Sequence, residues 1–139
     1  MLKTRLTKIV PLLAMVCLLF VGGPLGFGLF PETEVPKITK EELKAKLGDR
    51  NLVLVDLFKP IADAARTRII GALRERPADY KIWSKEFDKD KTLVLYCSCM
   101  HDEASIRIGQ KLMQMGFRKV YALKGGWREW AKAGYPTEP

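Results

Sequence analysis

Short apolar runs alternate with segments of helical periodicity along the chain after residue 37. The apolar runs lie at 51–57, 93–96 and 119–123, with a brief one at 68–72. Runs of this length, above all the continuous one at 93–96, are typical of strands buried on both faces of a parallel sheet. The remaining segments predict helices at 40–47, at 61–67, after Pro77, at 104–115 and at 127–133. Strands that alternate with short helices predict one α/β domain built on a parallel sheet.

Two of the predicted helices carry start or stop signals. Thr39 and Glu42 have the spacing of a capping box, which predicts the start of the first helix. The helix at 104–115 has one apolar face, and Gly116 after it is suited to end a helix.

Cys97 directly follows the apolar run at 93–96 and precedes the helix at 104–115. Open α/β sheets bind ligands outside the carboxyl ends of their strands, and the N–H groups of a helix N-terminus attract anions. The same partial positive charge stabilises a thiolate and favours its attack at neutral pH. A cysteine at a strand end can also be a small buried hydrophobe. The polar loop that follows and the second thiol, Cys99, favour Cys97 as a catalytic nucleophile.

The other ionisable residues near strand ends are weaker candidates. Asp56 is interpreted as a loop carboxylate that accepts backbone N–H bonds rather than as a catalytic group. His101 is the only histidine of the chain. A zinc site of Cys97, Cys99 and His101 would pack three ligands into one short loop without a distant fourth, which is not the usual tetrahedral spacing. We therefore expect no metal.

Composition narrows the function classes. The chain has 139 residues, 47% of them hydrophobic, which suits one domain with one core. The net charge of +8 is scattered, without a basic run or interleaved aromatic residues, so no nucleic-acid partner is expected. There is no Gly-rich nucleotide fingerprint. Three cysteines, one of them Cys17 near the N-terminus, do not form a disulfide scaffold. A bridge from Cys97 to Cys99 would close a very small ring and be labile.

Residues 1–30 are predicted to form a transmembrane or signal-anchor segment. Basic residues precede an apolar stretch at 9–30, which as a helix would span about 33 Å, enough for a bilayer core. A cleaved signal peptide is the alternative, because residues 9–21 have that length, and it would give a secreted soluble form. Pro24 disfavours cleavage and so favours the anchor.

The charges before the apolar stretch predict its orientation. By the positive-inside rule they stay in the cytoplasm, which puts the domain on the extracytoplasmic side, the periplasm of a bacterium. Residues 31–36 are predicted to be a short stiff linker. The folded domain is then predicted at 37–139.

Several sequence blocks resemble the rhodanese-like domain family of sulfurtransferases. They are I-T-K-E-E-L at 38–43, L-V-L-V-D at 52–56, I-I-G-A at 69–72, V-L-Y-C at 94–97, G-F-R-K-V-Y at 116–121 and L-K-G-G-W-R-E-W at 123–130. The last two blocks, at the right distance after the cysteine, are the most specific.

The resemblance implies a rhodanese-like α/β fold with a parallel sheet of about five strands flanked by helices. It also implies that Cys97 attacks the sulfane sulfur of a small donor, carries it as a persulfide, and passes it to cyanide or a thiol. No metal or organic cofactor is needed. The implied active-site loop after Cys97 contains Ser98, Cys99, Met100, His101, Asp102, Glu103 and Ala104.

This loop departs from the common form of the family. It lacks the arginine five residues after the cysteine and is about two residues longer, counted back from Gly116. Asp102 and Glu103 are expected to repel anionic donors. Arg107, one helical turn further on, could offset them in part, but a solvated surface arginine is the favoured interpretation. Cys99 has four open roles: to accept the sulfur, to resolve a persulfide, to protect Cys97 as a disulfide, or none.

Two further functions remain open. The fold could present its loop to a protein partner as a non-catalytic binding module, since fold alone does not confer function. Cys97 and Cys99 could also form a dithiol redox pair in an oxidising compartment. A phosphatase is disfavoured, because the loop has no arginine to clamp a phosphate.

Overall fold

The computed structural model describes residues 33–139. The predicted signal-anchor segment at 1–30 lies outside the described residues. Among the helices of residues 33–139, none is long and apolar enough to cross a membrane.

The core of the domain is a parallel sheet. The strands are β1 (Lys37–Ile38), β2 (Leu52–Leu57), β3 (Arg68–Ile69), β4 (Leu73–Glu75), β5 (Thr92–Tyr96), β6 (Lys119–Leu123) and β7 (Thr137–Glu138). Five of them form one sheet in the order β1-β6-β5-β2-β4, with every pair parallel. The predicted parallel sheet is confirmed. The antiparallel pair of β3 with β7 was not predicted.

Four helices flank the sheet. They are α1 (Lys40–Lys46), α2 (Tyr80–Trp83), α3 (Glu103–Gln114) and α4 (Gly126–Lys132), and 3-10 turns at Pro77–Asp79 and Ser84–Glu86 extend α2 on both sides. The capping box of α1 is confirmed: the Thr39 hydroxyl accepts from the N–H of Glu42, whose carboxylate accepts from the N–H of Thr39.

The predicted helix at 61–67 is wrong. This segment forms turns, with one i→i−4 bond from the N–H of Asp63 to the carbonyl of Lys59 and one i→i−3 bond from the N–H of Arg66 to the carbonyl of Asp63. The Asp63 carboxylate accepts from the N–H of Lys59, and the Arg66 side chain turns back to the Asp63 carboxylate. Such local side-chain bonds compete with a helix, and a run this short gains little from helix formation.

Each face of the sheet buries its own apolar cluster. One cluster joins Leu93, Leu95 and Cys97 of the β5 segment to α2 and α3. The other joins Val94 and Tyr96 to α1 and α4. Because successive side chains of a strand point to opposite faces, the continuous apolar run of β5 serves both clusters. Cys97 therefore emerges at the middle of the sheet, on the face that α3 covers.

The segment before β1 also packs on the domain. Val35 is buried in the cluster that contains Cys97. It packs against Gly109 of α3 so closely that a Cβ on this glycine would lie 3.0 Å from the Val35 methyl carbons. The carbonyl of Pro36 accepts from the N–H of Ala122 in β6.

Candidate active site

Cys97 lies at the centre of the carboxyl edge of the sheet, directly after β5, and a loop of residues 98–102 connects it to α3. Its side chain is buried, with 1% of the residue exposed. A disulfide joins it to Cys99, with 5.4 Å between the Cα atoms. The bridge expected to be labile is present in this structure. In this oxidised form the sulfur of Cys97 is not free to attack a donor.

The first turn of α4 contacts the backbone of Cys97. The N–H of Trp127 donates to the Cys97 carbonyl over 3.1 Å. Gly126 has a φ of +52°, and a Cβ there would lie 2.4 Å from the same carbonyl oxygen. The position needs glycine, because the left-handed conformation and the close approach both exclude a side chain. Two of the sequence blocks that carry the resemblance thus meet at the carbonyl of Cys97.

Asp102 anchors the other end of the loop. It adopts a left-handed conformation, with a φ of 59°, and is 3% exposed. Its Oδ2 accepts from Lys37 Nζ and from the N–H of Gly125, each over 3.2 Å. Lys37 thus compensates the charge of Asp102, which argues against the predicted repulsion of anionic donors by this residue.

The remaining predicted loop residues divide between loop and helix. Glu103 and Ala104 already belong to the first turn of α3, where Glu103 is exposed and Ala104 is buried. Helix α3 thus begins one residue earlier than the predicted start at 104, and the loop between Cys97 and α3 consists of residues 98–102. Met100 and His101 are exposed and line a cavity of about 460 Å³ with Lys37 and Lys124.

Ser98 is held by an aspartate that the sequence analysis missed. Its hydroxyl donates to Asp63 Oδ1 over 2.7 Å. Burial alone would raise the pKa of Asp63, but hydrogen bonds from Ser98, from the N–H of Lys59 and from Arg66 together lower it below its usual value. Asp63 is therefore a carboxylate at neutral pH, and it fixes the residue next to Cys97.

Arg66 connects this carboxylate to the sheet. Its guanidinium contacts Asp63 over 3.2 Å and Asp56 over 2.7 Å, and it lies 5.2 Å from the ring centroid of Trp127. Burial would lower the pKa of Arg66, but Asp56 and Asp63 raise it. The guanidinium thus bridges β2, the turn at 61–67 and the start of α4.

Asp56 has partners other than those predicted. It is fully buried in β2 and pairs with Arg66 and with Arg74, rather than accepting backbone N–H bonds in a loop. A carboxylate that closes a buried strand needs a compensating charge. The sequence therefore indicates that Asp56 needs a cationic partner, but it does not indicate which arginine supplies the charge. Burial, with a further contribution from Asp56, also raises the pKa of Tyr96 well above its usual value.

Arg107 lines a cavity of about 440 Å³ beside the loop. Its walls include three other cations, Lys59, Arg76 and Lys111, together with apolar side chains such as Phe58, and no carboxylate. Asp56 pairs in register with Tyr96, so Phe58 and the loop after Cys97 are neighbours along the carboxyl edge. The cavity therefore provides a basic environment next to the loop.

No group of three or more His, Cys, Asp or Glu side chains within residues 33–139 is arranged to hold a metal ion.

Comparison with known proteins gives consistent matches. A profile of the Rhodanese-like domain matches residues 39–133. The protein "Thiosulfate sulfurtransferase GlpE" of Glaesserella parasuis is 28% identical over 107 residues, which cover 77% of this chain and 96% of the relative. A protein named "Sulfurtransferase" from Allochromatium vinosum is 34% identical over 103 residues, covering 73% of this chain and 94% of the relative. The crystal structure of the Alr3790 protein from Anabaena sp. superimposes with a TM-score of 0.65 at 26% identity, covering 73% of this chain and 80% of that one.

Proposed function

We propose that this chain, which belongs to the rhodanese-like domain family, is a sulfurtransferase that carries sulfane sulfur as a persulfide on Cys97. The observation that carries the proposal is the position of Cys97, at the carboxyl end of the central strand and at the start of the loop that leads into α3. Relatives named as sulfurtransferases that align over most of their length support the reaction class.

The first step loads the sulfur. The reduced Cys97 thiolate attacks the outer sulfur of a donor such as thiosulfate, and a new S–S bond forms on the chain. The S–S bond of the donor breaks, and sulfite leaves with its electron pair. The product is the Cys97 persulfide anion.

The second step unloads the sulfur. The carbon of cyanide, or the thiolate of an acceptor, attacks the terminal sulfur of the persulfide. The bond between this sulfur and Cys97 Sγ breaks, and Cys97 Sγ keeps the electron pair as a thiolate. Thiocyanate or an acceptor persulfide is released, and neither step needs a metal or an organic cofactor.

The start of α3 suits the anions of both steps. The first-turn N–H groups of a helix have no partner within the helix. Asp102 occupies the N-cap position, but its side chain makes no capping hydrogen bond to α3. These N–H groups thus remain available to a thiolate or a persulfide anion.

The basic cavity suits an anionic donor. Arg107, Lys59 and Lys111 line it, and none of them forms an ion pair with another residue of the range 33–139. Uncompensated cations beside a site raise the local concentration of anions. Lys37 also neutralises Asp102, which leaves Glu103 as the carboxylate at the start of α3 that the cations of the cavity must offset when the donor is an anion such as thiosulfate.

A second candidate function is a dithiol redox protein that uses Cys97 and Cys99. The disulfide between them favours it, since a pair that joins within one loop can exchange with external thiols. Reversible oxidation without any sulfur transfer would distinguish this function from the first.

The proposed location is extracytoplasmic, with residues 9–30 as a membrane anchor. The support is the sequence pattern of an apolar stretch preceded by basic residues. Protease added outside spheroplasts should digest the domain at 37–139, and full protection would contradict this orientation.

The proposed reaction is tested with the full chain. The protein is reduced, freed of reductant, and supplied with thiosulfate and cyanide, and thiocyanate is measured for wild type and for Cys97→Ser. With cyanide in large excess, so that it takes the persulfide sulfur before Cys99 attacks, we expect double-displacement kinetics for the wild type and no thiocyanate above the uncatalysed rate for Cys97→Ser. Equal rates for the two proteins would overturn the proposal.

A further inference from the structure

Cys99 is placed to react with the sulfur atom that stays on Cys97. The two residues are separated by one position, their Cα atoms are 5.4 Å apart, and their sulfur atoms are bonded. That Cα separation lies within the usual range for a disulfide. The loop as folded therefore brings Cys99 Sγ to Cys97 Sγ, which is the inner sulfur of a Cys97 persulfide.

Contacts on both sides hold Cys99 in this position. Ser98 is bonded to Asp63, and Asp102 is bonded to Lys37 and Gly125. Cys99 itself is half-buried and packs against the apolar cluster that contains Cys97. A thiol fixed at one position reacts far faster than a free thiol, because its translational and rotational freedom has already been lost.

We propose that Cys99 resolves the Cys97 persulfide and so releases the transferred sulfur as hydrosulfide; this inference rests on the sulfurtransferase function proposed above. The Cys99 thiol loses its proton and its sulfur attacks Cys97 Sγ. A new bond forms between Cys97 Sγ and Cys99 Sγ, and the bond to the terminal sulfur breaks. The terminal sulfur leaves with the electron pair and takes the proton as HS⁻.

The electrons balance within the chain. The sulfane sulfur is reduced to sulfide, and the two cysteine thiols are oxidised to the disulfide. An external dithiol must then reduce this disulfide, and its own two thiols become a disulfide. The overall reaction is the reduction of a sulfane sulfur by a dithiol, with sulfide as the product.

The exposure of the two cysteine residues is consistent with reduction of the disulfide by an external dithiol. Cys97 is 1% exposed, whereas Cys99 is only partly buried. An incoming thiolate therefore attacks Cys99, and Cys97 leaves as the thiolate. Cys97 is therefore the first of the two cysteines to be released as a thiolate, which is the form that accepts the next sulfur.

The test is a single turnover of the full chain. Every protein carries Cys17→Ser, so that the two loop thiols are the only cysteines. Wild-type loop, Cys99→Ser and Cys97→Ser are reduced, freed of reductant and mixed with thiosulfate. Released sulfite and sulfide are measured, and intact mass reports the state of each chain. Any sulfide formed from thiosulfate comes from the transferred sulfur, because the other product is sulfite.

We expect the wild-type loop to release one sulfide per sulfite and to lose two hydrogens as the disulfide forms. Cys99→Ser should retain one added sulfur atom and release sulfide only when dithiothreitol is added, and Cys97→Ser should release neither product. Persulfide that persists equally on wild type and Cys99→Ser, with sulfite but no sulfide, would overturn the resolving role and leave the sulfurtransferase function intact.

The absence of sulfite and of added sulfur on every protein would overturn both proposals for thiosulfate. The same measurements are repeated with inorganic polysulfide as a second donor, and the signal of Cys97→Ser is subtracted as background. If Cys99→Ser takes no sulfur from either donor, both proposals fail.

Discussion

The clearest structural test of the site is the substitution Gly126→Ala. The added Cβ would lie 2.4 Å from the carbonyl oxygen of Cys97, which is backbone and cannot rotate away. The two atoms must separate by about 1 Å to reach ordinary van der Waals contact. Either Cys97 or the first turn of α4 must move, and the bond from the N–H of Trp127 to the carbonyl of Cys97 is disturbed.

Two costs follow from this geometry. Alanine in the left-handed conformation costs about 1–2 kcal/mol. A displacement of about 1 Å at a reacting group can cost about 100-fold in rate. We therefore expect the kcat/KM for thiocyanate formation to fall by about that factor, with a loss of about 2–4 kcal/mol in the free energy of unfolding when the strain of the clash is included.

Gly134→Ala is the matched control. Gly134 has a φ of +68°, close to that of Gly126, but a Cβ there meets no heavy atom within 4 Å. It should lose about 1–2 kcal/mol of stability in urea unfolding and retain its kcat/KM. If Gly126→Ala retains the activity of Gly134→Ala, the first turn of α4 does not position Cys97 and the reasoning is refuted.

Three further predictions concern the charges around the loop. Arg66→Ala leaves the buried carboxylates of Asp56 and Asp63 undercompensated and should lower the free energy of unfolding by about 3–5 kcal/mol, measured in urea; an unchanged midpoint would contradict this. The folded pKa of Asp63 lies below its unfolded value of about 3.9, so its contribution to stability is complete above that pH and is lost as the pH falls through the folded pKa. Asp63→Asn should accordingly flatten the loss of stability with acid relative to wild type. Arg107→Ala should raise the KM for thiosulfate several-fold at low salt and less at high salt. Arg128→Ala, in α4 on the other face of the sheet, is the control and should leave this KM unchanged. Equal effects of the two substitutions would show that Arg107 acts only through net charge.

Strand β5, which ends directly before Cys97, could be predicted from the sequence because the pattern that specifies it lies within a few consecutive residues. A run of apolar residues that ends at a polar loop specifies a strand buried on both faces, and Leu93 and Val94 pack on opposite faces as that pattern requires. The capping box of Thr39 and Glu42 is equally local and is confirmed. The same approach failed at 61–67, where the bonds of the Asp63 side chain hold the segment in turns instead of a helix.

The partners of the loop could not be predicted, because they depend on contacts distant in sequence. Ser98 finds Asp63 and Asp102 finds Lys37 only after the sheet has brought their segments together. The sequence therefore indicated two acidic residues near the loop but not that the charge of one of them is neutralised. The bridge between Cys97 and Cys99 was foreseen as a labile possibility, since the two residues are neighbours.

The measurement that tests the central claim most directly is peptide mapping by mass spectrometry after one exposure of the reduced full chain to thiosulfate. The account predicts one added sulfur atom on the Cys97-containing peptide of Cys99→Ser, removed by cyanide and absent from Cys97→Ser, whereas the wild type releases this sulfur as sulfide and forms the bridge between Cys97 and Cys99. No added sulfur on this peptide of Cys99→Ser, or the same addition in Cys97→Ser, would contradict the assignment of Cys97 as the residue that carries the sulfur.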